Sequence, residues 1–349
     1  MKKVFLIATV AAIILSGCGT KTEKRVNDSP TGTVSETPGN SNGNGNGNSD
    51  NSSNGGTNQP GGAEVIKYKA DEIGQALLDG DYEGVYYQTT KDFHSQMSLE
   101  EFTQAGPEIL KGVESWTKES ELDLNDSYYI TWMNQDRSKG LKVGADKNHV
   151  IGYLQVVPVE QFPSTDSVKT KHEYGLPFKG EWFVFWGGEN VLANYHYEVE
   201  MQRYAYDLIQ VKDGYSYSGD KTKNESYYAF GQEIIAPRAG IVVRVVSNIK
   251  DNEPVGKMNP EQPEGNVVVI DHGDGEYSFL AHMKKDSVVV KVGDKVEKGD
   301  LLGLCGNSGN TSEAHIHYQV SDGTDLFTGK SINIKWENGL NPHQGDIIK

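Results

Sequence analysis

Two histidines placed two residues apart carry the clearest chemical signal in this 349-residue chain: His315-Ile316-His317, followed by Tyr318-Gln319-Val320. Side chains alternate along a strand, so both imidazoles point to one face while Ile316, Tyr318 and Val320 point to the other. If the apolar side is the core, the two rings are presented together away from it. Such a pair can share a site, with one ring on a metal ion and the other on the reacting group. A surface strand with two solvated histidines has the same spacing, so the pair alone leaves both readings open. Elsewhere His94, His149, His172 and His343 have no second ligand type at a useful spacing, and read as surface or turn residues. Cys305, in Gly303-Leu304-Cys305-Gly306, reads as a small buried hydrophobe rather than a nucleophile or ligand.

The pair needs a scaffold, and from Trp182 onward strand signals dominate. Trp182 to Trp186, Tyr195 to Val199, Ile241 to Val246, Asn266 to Asp271, Tyr277 to His282, Ser287 to Val292, Leu301 to Cys305 and His315 to Val320 are short apolar-rich runs. Gly- and Asp-rich turns such as Asp271-His272-Gly273-Asp274-Gly275 separate them. The pattern predicts an all-β, mostly antiparallel C-terminal domain over residues 182–335, with a tail at 336–349. Upstream, Ile66, Ile73, Ala76, Leu77 and Leu78 fall near one helical face that Gly80 can close, and Ser98 with Glu101 opens a second helix toward Leu110. Strand signals follow at Tyr128 to Met133, Leu141 to Val143 and Val150 to Pro158. Helices followed by an antiparallel sheet predict a small α+β domain over 64–160, joined to the β domain by a connecting segment, 161–181. Its Leu77-Leu78-Asp79-Gly80-Asp81-Tyr82-Glu83 stretch resembles the small accessory domains of secreted bacterial proteins, a likeness that implies no chemistry.

The start of the chain says where these domains work. Met1-Lys2-Lys3 is a basic head, and Val4 to Leu15 is apolar apart from Thr9. That run is well short of the roughly 20 residues that cross hydrocarbon, so residues 1–17 read as a secretory signal. Leu15-Ser16-Gly17-Cys18 resembles a lipobox, which implies cleavage before Cys18, acylation of its sulfur and anchoring to the outer face of a bacterial cell membrane. With Cys18 acylated, Cys305 has no disulfide partner. Residues 18–63 are almost free of apolar content and include Gly43-Asn44-Gly45-Asn46-Gly47-Asn48, the composition of a disordered tether. As a flexible coil of roughly 44 residues it has a reach of about 35 to 40 Å. The net charge of −16 argues against non-specific nucleic-acid binding, which needs a basic face to release counterions.

Several separated motifs over 266–320 resemble the core of the lysostaphin/LytM-type zinc endopeptidases. They are Asn266-Val267-Val268-Val269-Ile270-Asp271-His272-Gly273-Asp274-Gly275, Ala281-His282-Met283, Val292-Gly293-Asp294-Lys295-Val296, Gly306-Asn307-Ser308-Gly309 and His315-Ile316-His317, with Ile235-Ala236-Pro237 and Gly240 ahead of them. The resemblance implies a groove that holds Zn2+ and a reaction that cuts peptide bonds in the stems or cross-bridges of peptidoglycan. It implies that His317 is a zinc ligand, and that His282 and His315 are catalytic histidines beside it. Zinc lowers the pKa of a water and polarises the scissile carbonyl, while imidazoles move its proton and steady the oxyanion.

In that family the remaining ligands come as His-x-x-x-Asp. Asp207 matches the aspartate, but four residues before it stands Arg203, which stays protonated and cannot ligate. His196 is the nearest replacement, and the stretch around it resembles a divergent branch in which this histidine is displaced. Arg203 could instead mark a silent module that binds cell wall or activates a partner hydrolase. A metallopeptidase acting on a protein substrate is a third reading. The polar insertion Val211 to Tyr228, with Tyr215, Tyr217, Tyr227 and Tyr228, is expected to be a loop over or beside the groove, or a passive excursion.

Overall fold

The computed structural model describes residues 66–349; the signal segment, Cys18 and the tether lie outside the described residues. Among the described residues no helix is long and apolar enough to cross a membrane.

The first helical period opens as a 3-10 turn at Ala70–Glu72, with Ile66 exposed ahead of it, and continues as α1 (Ile73–Leu78). Then come α2 (Tyr82–Tyr87), α3 (Lys91–Gln96) and α4 (Leu99–Ile109). At α4 the Ser98 hydroxyl accepts from the Glu101 N–H while the Glu101 carboxylate accepts from the Ser98 N–H, so two end donors are satisfied reciprocally. An antiparallel meander follows: β1 (Trp116–Leu124), β2 (Ser127–Asn134), β3 (Lys139–Asp146) and β4 (Ile151–Pro158). Asn125 and Asp126 both take positive φ, 52° and 61°, as a two-residue hairpin with native twist demands. One face of this sheet, including Ile130, Leu141, Val143 and Ile151, packs under Ile73, Leu77, Val85 and Phe102 of the helices. From β1 and β2, Leu122, Leu124 and Tyr129 pack instead against Phe185, Trp186 and Ile209.

The rest is mostly β, as its strand spacing predicts. A short α5 (Pro163–Asp166) leads to β5 (Lys169–Tyr174), β6 (Trp182–Trp186), β7 (Tyr206–Ile209), β8 (Glu233–Ile235), β9 (Gly240–Val246), β10 (Asn266–Asp271) and β11 (Tyr277–Met283). After them come β12 (Lys295–Val296), β13 (Leu301–Leu304), β14 (Ile316–Ser321), β15 (Ser331–Trp336) and β16 (Ile347–Ile348). The large sheet runs β12-β9-β10-β11-β14-β7-β6-β16, with β15 beside β14 and β5 parallel to β15. Strand β13 pairs with β8 apart from it. The segment 161–181 thus supplies a strand of the sheet, and Trp336 and Ile348 from the tail lie in its core.

Two expected strands are absent. Tyr195 to Val199 is not extended: Tyr195–Glu198 is a 3-10 turn, because the Asn194 side chain accepts from the His196 N–H and starts a turn. Ser287 to Val292 runs beside β13, and Val289 donates to the Leu302 carbonyl, but Val289 and Val292 face solvent and no ladder forms.

The large sheet divides its side chains by parity. Tyr206, Leu208, Leu280, Ile316, Tyr318 and Val320 enter the main core, which sets His317 and Asp207 on the opposite face, as the alternation around His315 and His317 predicts. Cys305 is in that core as a free, buried thiol, its pKa pushed up by burial.

Candidate metal centre

Antiparallel register brings the distant residues together. His317 on β14 stands opposite Asp207 on β7 and opposite Ala281 on β11, so Asp207, His317 and the His282 segment meet in neighbouring strands. Simple alternation would send His282 into the core. Its φ of 63°, beside a register shift between Asn266 and Val268, reverses the alternation, and Met283 takes the core face instead. The 3-10 turn after Asn194 delivers His196 from the other side.

One nitrogen from His196, one from His317 and an oxygen of Asp207 lie within 4.8 Å of one another, and all three residues are buried. His196 Nε2 is 3.7 Å from Asp207 Oδ2, His317 Nδ1 is 3.0 Å from Asp207 Oδ1, and His315 Nε2 is 3.5 Å from the same oxygen. The His282 ring centroid is 4.8 Å from that of His315 and 5.9 Å from that of His317. All five residues that sequence and resemblance single out therefore share one buried cluster.

Outer partners fix the tautomers. The Asn194 amide donates to the carbonyls of Gly188, Arg203 and Ala205, so its Oδ1 is left to accept from His196 Nδ1 at 2.9 Å. Gln319 donates to the Met201 carbonyl, which turns its Oε1 to accept from His317 Nε2 at 3.2 Å. His315 Nδ1 donates to the Glu313 carbonyl at 2.9 Å, and His282 Nδ1 to the Ser308 carbonyl at 2.8 Å. The remaining lone pairs, on Nε2 of His196, His282 and His315 and on Nδ1 of His317, belong to the site side. Lone pairs of His317 and His315 thus face an oxygen of Asp207, an arrangement that needs positive charge between them.

The electrostatics carry the same message. Burial alone would raise the Asp207 carboxyl, but His196, His315 and His317 hold it well below the usual range. Burial, with His317 and His315, lowers His196 to about 3 against the pull of Asp207. Burial, then His315 and His317, depresses His282 well below the ordinary histidine value. His315 is raised because Asp207 outweighs its burial. A neutral His196 imidazole and an ionised Asp207 carboxylate are the protonation states that metal ligands need. Two imidazole nitrogens and a carboxylate oxygen are the donor types zinc takes in catalytic sites, so the residues present fit that ion.

Arg203 is not in the cluster. Its guanidinium is buried over the Phe162 ring, 3.5 Å from the centroid, donates to the Tyr197 carbonyl at 3.0 Å, and reaches Thr165 Oγ1 at 3.2 Å. It clamps the segment after Val159 onto the turn that carries His196. Of the remaining histidines, His94 stacks on Tyr86 and His149 on Tyr128. The insertion is ordered by the hairpin at Asn125: Ser216 N–H donates to Asn125 Oδ1, Tyr215 donates to Asp126, and Ser216 reaches Glu313 beside the cluster. The sequence gives no separate signal for the acceptors that hold these rings at Ser308, Glu313 and Gln319, although Glu313 and Gln319 sit two residues from the His-x-His pair.

The model for Peptidase family M23 matches residues 226–333, a span that holds His282, His315 and His317 and begins after His196 and Asp207. Peptidoglycan DD-endopeptidase ShyA of Vibrio cholerae serotype O1 is 41% identical over 69 residues, 20% of this chain. An uncharacterized metalloprotease of Buchnera aphidicola is 41% identical over 56 residues, 16% of this chain. The chain spans 14% of the length of each of these curated relatives. The catalytic domain of lysostaphin from Staphylococcus simulans overlaps 49% of this chain and 95% of its own, at 19% identity and a TM-score of 0.24. With the family match falling on the strands that carry three of the five clustered residues, residues 226–333 are a domain of peptidase family M23, a family of zinc metallopeptidases.

Proposed function

We propose that the chain is a zinc-dependent endopeptidase that hydrolyses peptide bonds in the stems or cross-bridges of peptidoglycan, with His196, Asp207 and His317 as metal ligands. The observation that carries this reading is the convergence of those three buried side chains within 4.8 Å, with His282 and His315 at their border. Bound zinc supplies Lewis acidity toward a water and the scissile carbonyl. Asp207 turns its two oxygens toward the bare nitrogens of His196 and His317, so that one cation between them would be shared by all three. His282, with Nδ1–H fixed on Ser308, presents a bare Nε2 that can take a proton. His315, with Nδ1–H fixed on Glu313, presents Nε2 beside it, and the two histidines divide proton transfer and oxyanion stabilisation between them. Arg203, turned away into the Phe162 contact, does not favour the silent-module reading.

Zinc content tests the ligand set. Wild type and Arg203→Met are expected to purify with one zinc per chain and to release new amino termini from purified peptidoglycan, whereas His196→Ala loses both. Zinc retained by His196→Ala and lost from Arg203→Met would overturn the displaced-ligand assignment. The proposal extends to location: a chain anchored through acylated Cys18 outside the cell would work on the wall from the membrane. Cys18→Ala is then expected in the soluble fraction, and its retention with membranes would refute the anchor.

A further inference from the structure

The carboxyl group of Glu313, unlike its backbone carbonyl, has no part in the proposed reaction, yet the residue lies two positions before His315, where the chain turns into β14. Its Oε2 accepts one long hydrogen bond from Ser216 Oγ, at 3.4 Å. Its Oε1 is shut off from solvent and has no hydrogen-bond partner. A carboxylate oxygen left in that state is costly, and folded chains rarely keep one without a use. Burial pushes this carboxyl up to about 7, against the opposing influence of His315 and Ser216.

A small cavity opens beside it. Glu313, Asp207 and His315 line it together with Phe185, Trp186 and Tyr195. Its volume of about 20 Å³ is room for one water-sized group. A carboxylate among aromatic rings suits a small cation, because both the charge and the ring faces attract it. An ammonium group has that size and charge. The cavity also touches the proposed ligand Asp207, so whatever fills it sits next to the reacting bond.

The geometry points to Glu313 as a specificity-determining residue that anchors a primary ammonium group of the substrate peptide beside the scissile bond. This rests on the peptide-hydrolase reading and deepens it by naming an amine-bearing peptide as the substrate class. The ammonium has two sources, the side-chain amine of a diamino-acid residue or a free α-amine.

The experiment uses the full zinc-loaded chain and a synthetic tetrapeptide with lysine at its third position. The peptide is prepared with both amines free, with the side-chain amine acetylated, and with the α-amine acetylated. Binding is read by calorimetry and cleavage by chromatography. Wild type is expected to bind one acetylated form at least about 10-fold more weakly than the free peptide, and the form that suffers identifies the source. In Glu313→Gln that ratio is expected to fall to within about twofold. Discrimination that survives intact in Glu313→Gln, equal binding of all three forms by wild type, or no binding of any form, overturns the anchor. Binding that discriminates without any cleavage would sink the hydrolase reading and leave the anchor standing; cleavage without discrimination does the reverse. Glu313→Gln is expected to melt at no lower temperature than wild type, since it removes an unpaired buried charge. A melting point several degrees lower would mark Glu313 as a structural residue and overturn the proposal.

Discussion

The two larger sheets among the described residues differ in what they bury. Under its helices the β1–β4 meander places Ile130, Leu141, Val143 and Ile151, all at 1% exposure or less. On the face away from its core the large sheet buries Asp207 and four histidines, each at 9% or less. The first arrangement is what the hydrophobic effect produces unaided. The second runs against it, since burying ionisable groups is unfavourable unless they are paired or coordinate a metal. A cluster that opposes the folding forces is kept by what it does, and the apolar sheet provides stability nearby. The meander also supports the site directly, for Leu122, Leu124 and Tyr129 back Trp186, a wall of the cavity beside His315.

The largest effect that would sharpen this contrast is expected from Asp207→Asn. The amide keeps the size of the side chain but removes the charge that His196, His315 and His317 share. Zinc content should fall from one per chain to near zero, and peptide release from peptidoglycan should fall on the order of 10³-fold or more. Circular dichroism should stay that of a folded β protein, because the main core on the other face of the sheet is untouched. Full zinc occupancy in this variant would break the comparison by making the buried carboxylate a structural group.

Leu141→Ala examines the other side. Leu141 is fully buried between the helices and β3, so truncation should cost about 2–5 kcal/mol in urea unfolding. Zinc bound per folded chain should not change. Loss of zinc in step with stability would show that the meander is part of the site rather than its support.

Much of this contrast is legible in the sequence. The alternation of His315, His317, Ile316 and Tyr318 assigns faces correctly, because strand parity is local and rigid. The Ser98 and Glu101 pair likewise locates α4 to within a residue. What depends on non-local contacts is not legible. Tyr195 to Val199 has a strand-like composition, but Asn194, held by the carbonyls of Gly188, Arg203 and Ala205, curls it into a turn. The bulge that re-aims His282 and the displacement of Arg203 onto Phe162 are set by partners far along the chain. His282 and Asp207 are legible only through resemblance, since neither has a local pattern that distinguishes it from an ordinary strand histidine or turn aspartate.

Asn194 gives the smallest of these effects and the finest division between the two kinds of burial. It is fully buried and both ends of its side-chain amide are hydrogen-bonded, so by packing criteria it belongs with the scaffold. Yet its Oδ1 fixes His196 Nδ1 as a donor and thereby frees Nε2 for the cluster. If its purpose is orientation, Asn194→Ala should weaken zinc binding about 10- to 100-fold in a chelator competition. Asn194→Asp separates the two parts, for it keeps an acceptor for His196 but cannot donate to the three carbonyls. An affinity in Asn194→Asp nearer to wild type than that of Asn194→Ala, with a lowered melting temperature, would assign orientation to Oδ1 and stability to the amide donors. Equal zinc affinity in Asn194→Ala and wild type would mean that β7 and β14 alone position the ligands.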